Sequence, residues 1–208
     1  MSKGYFITFE GVDGCGKGTQ IEKLKVLFAE KKIDSLFTRE PGGDKVAEKI
    51  RTLVHDPENS ITDTSEMFLY AAARAQVTQN VILPALGEGK VVVADRFIDS
   101  SITFQGYGRG LGAEMVMSVN KIATSGLMPD LTILLDLDGT IGLSRNRNVE
   151  GKLDRMEMEG VWLQDRVRSG YLELAKLEPE RFLVIDATKT REEIFDIIVD
   201  ELDRRGVI

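Results

Sequence analysis

Between residues 11 and 20 the chain reads Gly11-Val12-Asp13-Gly14-Cys15-Gly16-Lys17-Gly18-Thr19-Gln20. Glycines this close together let successive backbone N–H groups turn toward one point, where an oxyanion collects several of them and side chains would block its approach. A helix beginning near Lys17 adds the positive end of its dipole, and the lysine reaches toward β- and γ-phosphates. The segment has the chemistry of a phosphate-binding loop for a nucleoside triphosphate. One position departs from the usual pattern: Gly18 stands where Ser or Thr commonly ligates magnesium, and Thr19 comes one residue later.

A second group of residues suits an anionic acceptor. Arg96 follows Asp95 at the end of an apolar run, where its fork can grip a phosphate while Asp95 faces the loop lysine and a metal. Tyr70 and Arg74 are one helical turn apart, an aromatic face and a guanidinium on one side of a helix that could hold a base and its phosphate. Taken by itself, that spacing fits a core tyrosine with a snorkelling arginine better. Between Gly142 and Met158 the apolar pattern breaks, and Ser144 to Arg155 carries four basic residues. His55, the only histidine, falls beside Asp56-Pro57 and reads as a surface residue. Cys15 could react as a thiolate beside an anion site, or simply fill a small position.

These groups need elements to hold them. Apolar runs at Tyr5 to Phe9, Ser35 to Thr38, Val91 to Asp95, Leu131 to Leu137 and Phe182 to Asp186 predict strands. Amphipathic stretches at Lys17 to Lys31, Lys45 to Val54, Thr64 to Gly87, Ala113 to Ser125, Glu157 to Leu177 and Arg191 to Arg204 predict helices. Such alternation implies an α/β fold with a five-stranded parallel sheet covered on both faces, its sites at the carboxyl ends of the strands. The 208 residues, 42% hydrophobic, suffice for one domain. Net charge of −7 argues against binding a nucleic-acid polymer, so any basic site is local. One cysteine precludes an internal disulfide, and no Cys/His cluster has zinc spacing. With no apolar stretch of membrane-spanning length and no signal-peptide core after Met1-Ser2-Lys3, the expected location is the cytoplasm, away from membranes.

Several motifs occur in order: Phe9-Glu10 before the loop, Thr38-Arg39-Glu40-Pro41-Gly42-Gly43, Asp95-Arg96-Phe97, Asp99-Ser100-Ser101, Phe104-Gln105-Gly106-Tyr107-Gly108-Arg109-Gly110, Pro129-Asp130-Leu131-Thr132 and Leu153-Asp154-Arg155. Together they resemble the bacterial-type thymidylate kinases along the whole chain. The resemblance implies a P-loop NTPase three-layer sandwich of the nucleoside-monophosphate-kinase type, residues 1–208, with a mobile lid at about 142–156. It also implies ATP with Mg2+ as donor, dTMP as acceptor and a homodimer. ATP would meet Gly11, Asp13, Gly14, Cys15, Gly16, Lys17, Gly18 and Thr19.

By the same resemblance Arg51, Arg74 and Arg96 hold the dTMP phosphate, with Asp13 and Glu40 near the sugar or metal. Tyr70 stacks on thymine, Ser101 and Gln105 meet the base, and Phe104 crowds the sugar 2′ position. Glu40-Pro41 falls where the family has a cis proline. Family members with glycine at Gly14 take an arginine from the lid instead, which fits the basic insert. Lys17, Arg96, Arg147 and Arg155 are then the expected catalytic groups, with Arg145 a further lid candidate. Adenylate kinases share Gly-Lys-Gly-Thr-Gln and handle a more hydrated magnesium ion, so Thr19 and Asp95 are expected to hold the metal through water. Three other readings remain: an adenylate-kinase-like enzyme, a deoxynucleoside kinase, and a non-catalytic nucleotide-sensing module.

Overall fold

The computed structural model describes residues 4–147 and 155–208. Its sheet contains β1 (Tyr5–Glu10), β2 (Ser35–Arg39), β3 (Val91–Asp95), β4 (Leu131–Asp136) and β5 (Phe182–Asp186), all parallel, in the order β2-β3-β1-β4-β5. The five expected strands are all present. Because side chains alternate across a strand and both faces are covered, Phe6 packs with Val92, Ala94 and Phe97 on one side. Ile7 and Phe9 point the other way, into the cluster that holds Leu24 and Phe28 of α1 (Lys17–Glu30).

Helices α2 (Lys45–His55) and α3 (Asp63–Val77) begin at Asp44 and Thr62, whose side chains accept N–H groups of the first turn. The single helix expected over residues 64–87 is interrupted. After α3 comes a wide turn at Thr78–Ile82, where the Leu83 N–H donates to the Thr78 carbonyl, and then α4 (Leu83–Gly87). Pro84 has no N–H to give the helical ladder, which accounts for the change of register.

The stretch after β3, left without an element by the apolar pattern, is helical throughout. A short α5 (Ile98–Ser101) runs into a π segment at Ile102–Gly108, where Arg109 N–H reaches the Phe104 carbonyl. Next come α6 (Ala113–Ala123), the unexpected α7 (Gly139–Arg147), α8 (Val161–Leu177) and α9 (Arg191–Arg204). Residues 142–147 of the expected lid are thus helical, and 148–154 lie outside the described residues. The helix expected from Glu157 starts instead at Val161, after a 3-10 turn at Glu157–Glu159 and Gly160 at φ +78°. Thr190 forms a capping box with Glu193 at the start of α9.

A polar ladder crosses the sheet beneath this framework. Thr8 and Thr132 share a hydroxyl bond at 3.0 Å, Thr132 donates to Asp99, and Arg181 grips both Asp99 oxygens at 2.7 and 2.9 Å. Asp99 is fully buried, so its charge is tolerable only with that partner. Arg181→Met is expected to lower unfolding free energy by about 3–5 kcal/mol in urea denaturation. A loss below about 1 kcal/mol would show that the pair does not hold the sheet to α5.

Candidate active site

The carboxyl ends of β1, β2 and β3 open onto a cavity of about 320 Å3, as expected for a parallel sheet. Asp13, Gly14 and Lys17 line one side; Arg39, Glu40 and Pro41 come from the end of β2; Arg51 and His55 come from α2. Tyr70 and Arg74 of α3, Asp95 and Arg96, then Ser100, Ser101, Phe104, Gln105 and Met156 complete it. Every residue assigned above to the acceptor therefore lines this one cavity. His55 is a correction: it closes α2, is half-buried and lines the cavity, because the loop begins only at Asp56.

The phosphate loop leaves β1 and enters α1 through Gly16 at φ +102°, a left-handed cap that favours glycine. Lys17 turns back over the loop and donates to the carbonyls of Gly11 and Val12 at 3.2 and 3.1 Å and to the Cys15 sulfur. Cys15 is buried, which supports the small-residue reading over a reactive thiol. Gly14 has a purpose beyond phosphate approach. A Cβ there would stand 2.1 Å from the Gly142 carbonyl oxygen, and one on Gly142 would stand 2.2 Å from that of Asp13. Loop and α7 meet backbone to backbone, so the helix that leads into residues 148–154 rests on the phosphate loop.

Arg96 joins this loop to the acceptor side. Its backbone sits at φ +70°, unusual for a residue with a side chain, and its N–H donates to the Phe9 carbonyl. Its guanidinium donates to Asp13 at 2.6 Å, Gly11 O at 3.0 Å, Ser100 at 3.2 Å and Tyr171 at 3.3 Å. Burial disfavours this charge, yet the carboxylates around it, Asp13 foremost, hold its pKa above the ordinary arginine value. Asp13 is held from the far side by Gln164, which donates to its carboxylate at 2.9 Å and accepts its backbone N–H at 3.3 Å. Fully buried Glu10 accepts Phe97 N–H at 2.8 Å and the Ser100 and Tyr171 hydroxyls at 2.6 Å. Burial, reinforced by Asp99, pushes its carboxyl above the usual range.

Arg74 differs from the outward guanidinium that its spacing with Tyr70 allowed. It is 2% exposed and donates to Glu40 at 2.6 Å, Ser101 at 2.7 Å, the Phe97 carbonyl at 3.0 Å and Asn120. Four of its N–H bonds are thereby committed, leaving little for a two-pronged grip on phosphate. Arg51 donates to the Pro41 carbonyl at 3.1 Å, next to the cis Glu40-Pro41 bond. The Phe104 ring lies 5.1 Å from the Arg96 guanidinium.

Asp95 Oδ1 is buried at the cavity with no partner among the described residues, an oxygen suited to a cation or a water bound to one. Thr19, in the first turn of α1, is half-buried and outside the lining. No group of three or more acidic, His or Cys side chains among the described residues could hold a metal by itself. Arg155 lies against α2 and α3, donating to the Val54 carbonyl at 2.9 Å and to Glu66. Arg147 closes α7, and its side chain lies outside the described residues. Arg145 donates to the Ala187 carbonyl, in the loop after β5.

Sequence patterns alone passed over Gln164, Tyr171, Glu66 and Arg109, which hold the lining residues from behind. Their partners are far away in sequence, and no local spacing marks them. Glu10 did carry a signal, a carboxylate ending an apolar strand just before the loop.

A family model described as thymidylate kinase matches residues 9–198. The thymidylate kinase of Lactobacillus helveticus is 46% identical over 206 residues, covering 98% of this chain and 97% of its own. That of Caldanaerobacter subterraneus is 45% identical over 201 residues, covering 97% and 96%. The crystal structure of thymidylate kinase from Ehrlichia chaffeensis superposes with a TM-score of 0.76 at 31% identity, covering 96% of this chain and 98% of that one.

The Glu40 carboxyl is pushed up to about 7 by burial against the pull of Arg74, with the charge of Glu10 adding to the rise. The folded state therefore holds a proton that the unfolded chain releases near 4.5, and stability falls as pH rises between those values. The expected loss across that window is on the order of 3 kcal/mol. Denaturation midpoints at several pH values should show it, and Glu40→Gln should flatten it; an unchanged slope in the variant would assign it elsewhere.

Proposed function

The chain belongs to the thymidylate kinase family, and from that premise we propose that it transfers the γ-phosphoryl group of ATP to dTMP, forming dTDP and ADP. The observation that carries this reading is the one cavity that the phosphate loop, Arg51, Arg96 and the residues assigned to the base line together. A phosphate oxygen of dTMP attacks the γ-phosphorus, the bond to the bridging oxygen of ADP breaks, and charge spreads over the transferring group. Alignment and positive charge then matter more than a strong base.

In this scheme Lys17 exchanges its bonds to the loop carbonyls for the ATP phosphates, alongside the amides of Gly11 to Thr19. Arg51 and Arg96 meet the dTMP phosphate. Arg74, committed to Glu40, Ser101 and Asn120, forms the floor under the nucleotide instead of a free clamp. Tyr70 offers its ring to thymine, Ser101 and Gln105 face the base, and Phe104 excludes a 2′-hydroxyl. Asp13 and Glu40 lie toward the sugar.

Mg2+ accompanying ATP would neutralise phosphate charge. Asp95, supported by its unpartnered oxygen, would hold it, with Thr19 on the helix side. The segment at about 142–156 acts as the lid, excluding water from the donor. Arg147 is its charged group for the phosphoryl oxygens, Arg155 joins it by leaving Glu66 and the Val54 carbonyl when the lid closes, and Arg145 stands toward the Ala187 loop.

A homodimer is supported by three neighbouring helices with apolar outward stripes: Val46 and Leu53 on α2, Phe68 on α3, and Met115 and Ile122 on α6, the last 83% exposed. Side chains of this size on adjacent helices suit a second copy of the chain. No helix among the described residues is long and apolar enough to cross a membrane, and we place the enzyme in the cytoplasm.

A coupled ADP-release assay across dTMP, dUMP, AMP and thymidine tests the reading. Turnover is expected with dTMP and not with AMP or thymidine; AMP as preferred acceptor, or no turnover at all, would overturn it. Arg96→Met should cut kcat/KM for dTMP by at least about a hundredfold. If Arg147→Ala and Arg155→Ala both left kcat within a few-fold of the parent, the lid arginines would have no part in transfer.

A further inference from the structure

Glu66, in the first turn of α3, has no role in the scheme above and does not line the cavity, yet it is fully buried. Burial pushes its carboxyl up, but the bonds it accepts from Arg109, Gln105 and Arg155 outweigh that and keep it ionised. Its Oε1 accepts Gln105 Nε2–H at 2.8 Å and Arg109 Nε–H at 3.3 Å; its Oε2 accepts from Arg109 at 3.0 Å and from Arg155 at 2.5 Å. Arg109 continues to Glu159 at 2.7 Å, so the carboxylate is anchored on several sides.

An ionised carboxylate only accepts hydrogen bonds, and this sets the direction of the Gln105 amide. Turned over, the amide would place its own oxygen against Glu66. With one Nε2–H committed, Gln105 can offer the cavity its Oε1 and its second N–H. That acceptor–donor pair matches the N3–H and O4 of thymine. Cytosine, with a bare N3 and an amino group at C4, presents the opposite pair.

We propose that Glu66 is a positioning residue that fixes the Gln105 amide from behind and thereby makes the acceptor pocket reject cytosine nucleotides. The proposal rests on the dTMP kinase reading. In Glu66→Gln the two arginines retain the remaining amide oxygen, leaving the new NH2 group to face Gln105. That favours the inverted amide and the cytosine pattern.

The test is kcat/KM for dTMP and dCMP in the parent and in Glu66→Gln, with melting temperatures alongside. The parent should strongly prefer dTMP, and the variant should lower the dTMP-to-dCMP ratio by about tenfold or more, with dCMP turnover rising in absolute terms. If unpaired arginines prevent that variant from folding, Glu66→Gln with Arg109→Met removes one charge of each sign and is expected to lower the ratio likewise. A ratio within about twofold of the parent in a folded variant would reduce Glu66 to a stabilising ion-pair partner and overturn the proposal. A parent inactive on dTMP would overturn the kinase reading itself, a result distinct from an active parent whose selectivity the substitutions leave alone.

Discussion

The site depends on one constraint, the need of every buried carboxyl group for hydrogen-bond donors. At the end of β1 Glu10 has no solvent contact, and it accepts a backbone N–H and two hydroxyls while Arg96 stands beside the same groups. The same condition is met by Glu40 with Arg74, by Glu66 with Arg109 and Arg155, and by Asp99 with Arg181. Each pair spans elements distant in sequence, so satisfying the charges also fixes how α3, α5, the π segment and α8 stand over the sheet. Replacing such a pair by apolar groups need not weaken a fold, but removing one member does. Their value here is the direction they impose on side chains at the cavity.

The two layers of the sheet face divide this work. Apolar packing of Ile7, Phe9, Leu24 and Phe28 supplies the bulk burial on the α1 side. The opposite face carries Thr8 and Glu10 between its apolar residues, and through Thr132, Asp99 and Arg181 it becomes a hydrogen-bonded floor. Polar residues in the middle of a buried parallel strand are unfavourable unless satisfied, and here they are. The floor ends at Arg96, whose left-handed backbone turns the chain from β3 into α5 and delivers the guanidinium to the phosphate loop.

Much of this was legible in the sequence, though unevenly. The strands were, because a doubly covered parallel sheet writes itself as uninterrupted apolar runs such as Val91 to Ala94. The phosphate loop was, because its glycines and lysine act through local backbone geometry. The wide turns were not: Gly106 and Gly108 sit inside a helical segment that their composition disguises, and the 78–82 turn follows from the ladder lost at Pro84. Short α7 was hidden by two glycines, Gly139 and Gly142, that close packing requires. Lining residues could be named from motif resemblance, whereas Gln164, Tyr171 and Glu66 act across separations of 39 to 161 residues that no local pattern encodes.

Prepaired charges also bear on how a dianionic acceptor is bound. Arg39 already faces Glu48 and Arg96 faces Asp13, so a phosphate entering the cavity exchanges partners with carboxylates instead of meeting bare cations. Such exchange gains less ground-state affinity than free guanidinium groups would. It does keep the groups in place, and groups already aimed cost no reorganisation when charge moves onto the transferring phosphoryl oxygens. Asp13 is the exception that links the two substrates: held by Arg96 on one side and Gln164 on the other, it can release one partner and keep its position through the second. Movement of Arg96 toward a phosphate therefore leaves the loop anchored to α8, and the donor's cradle survives the acceptor's arrival.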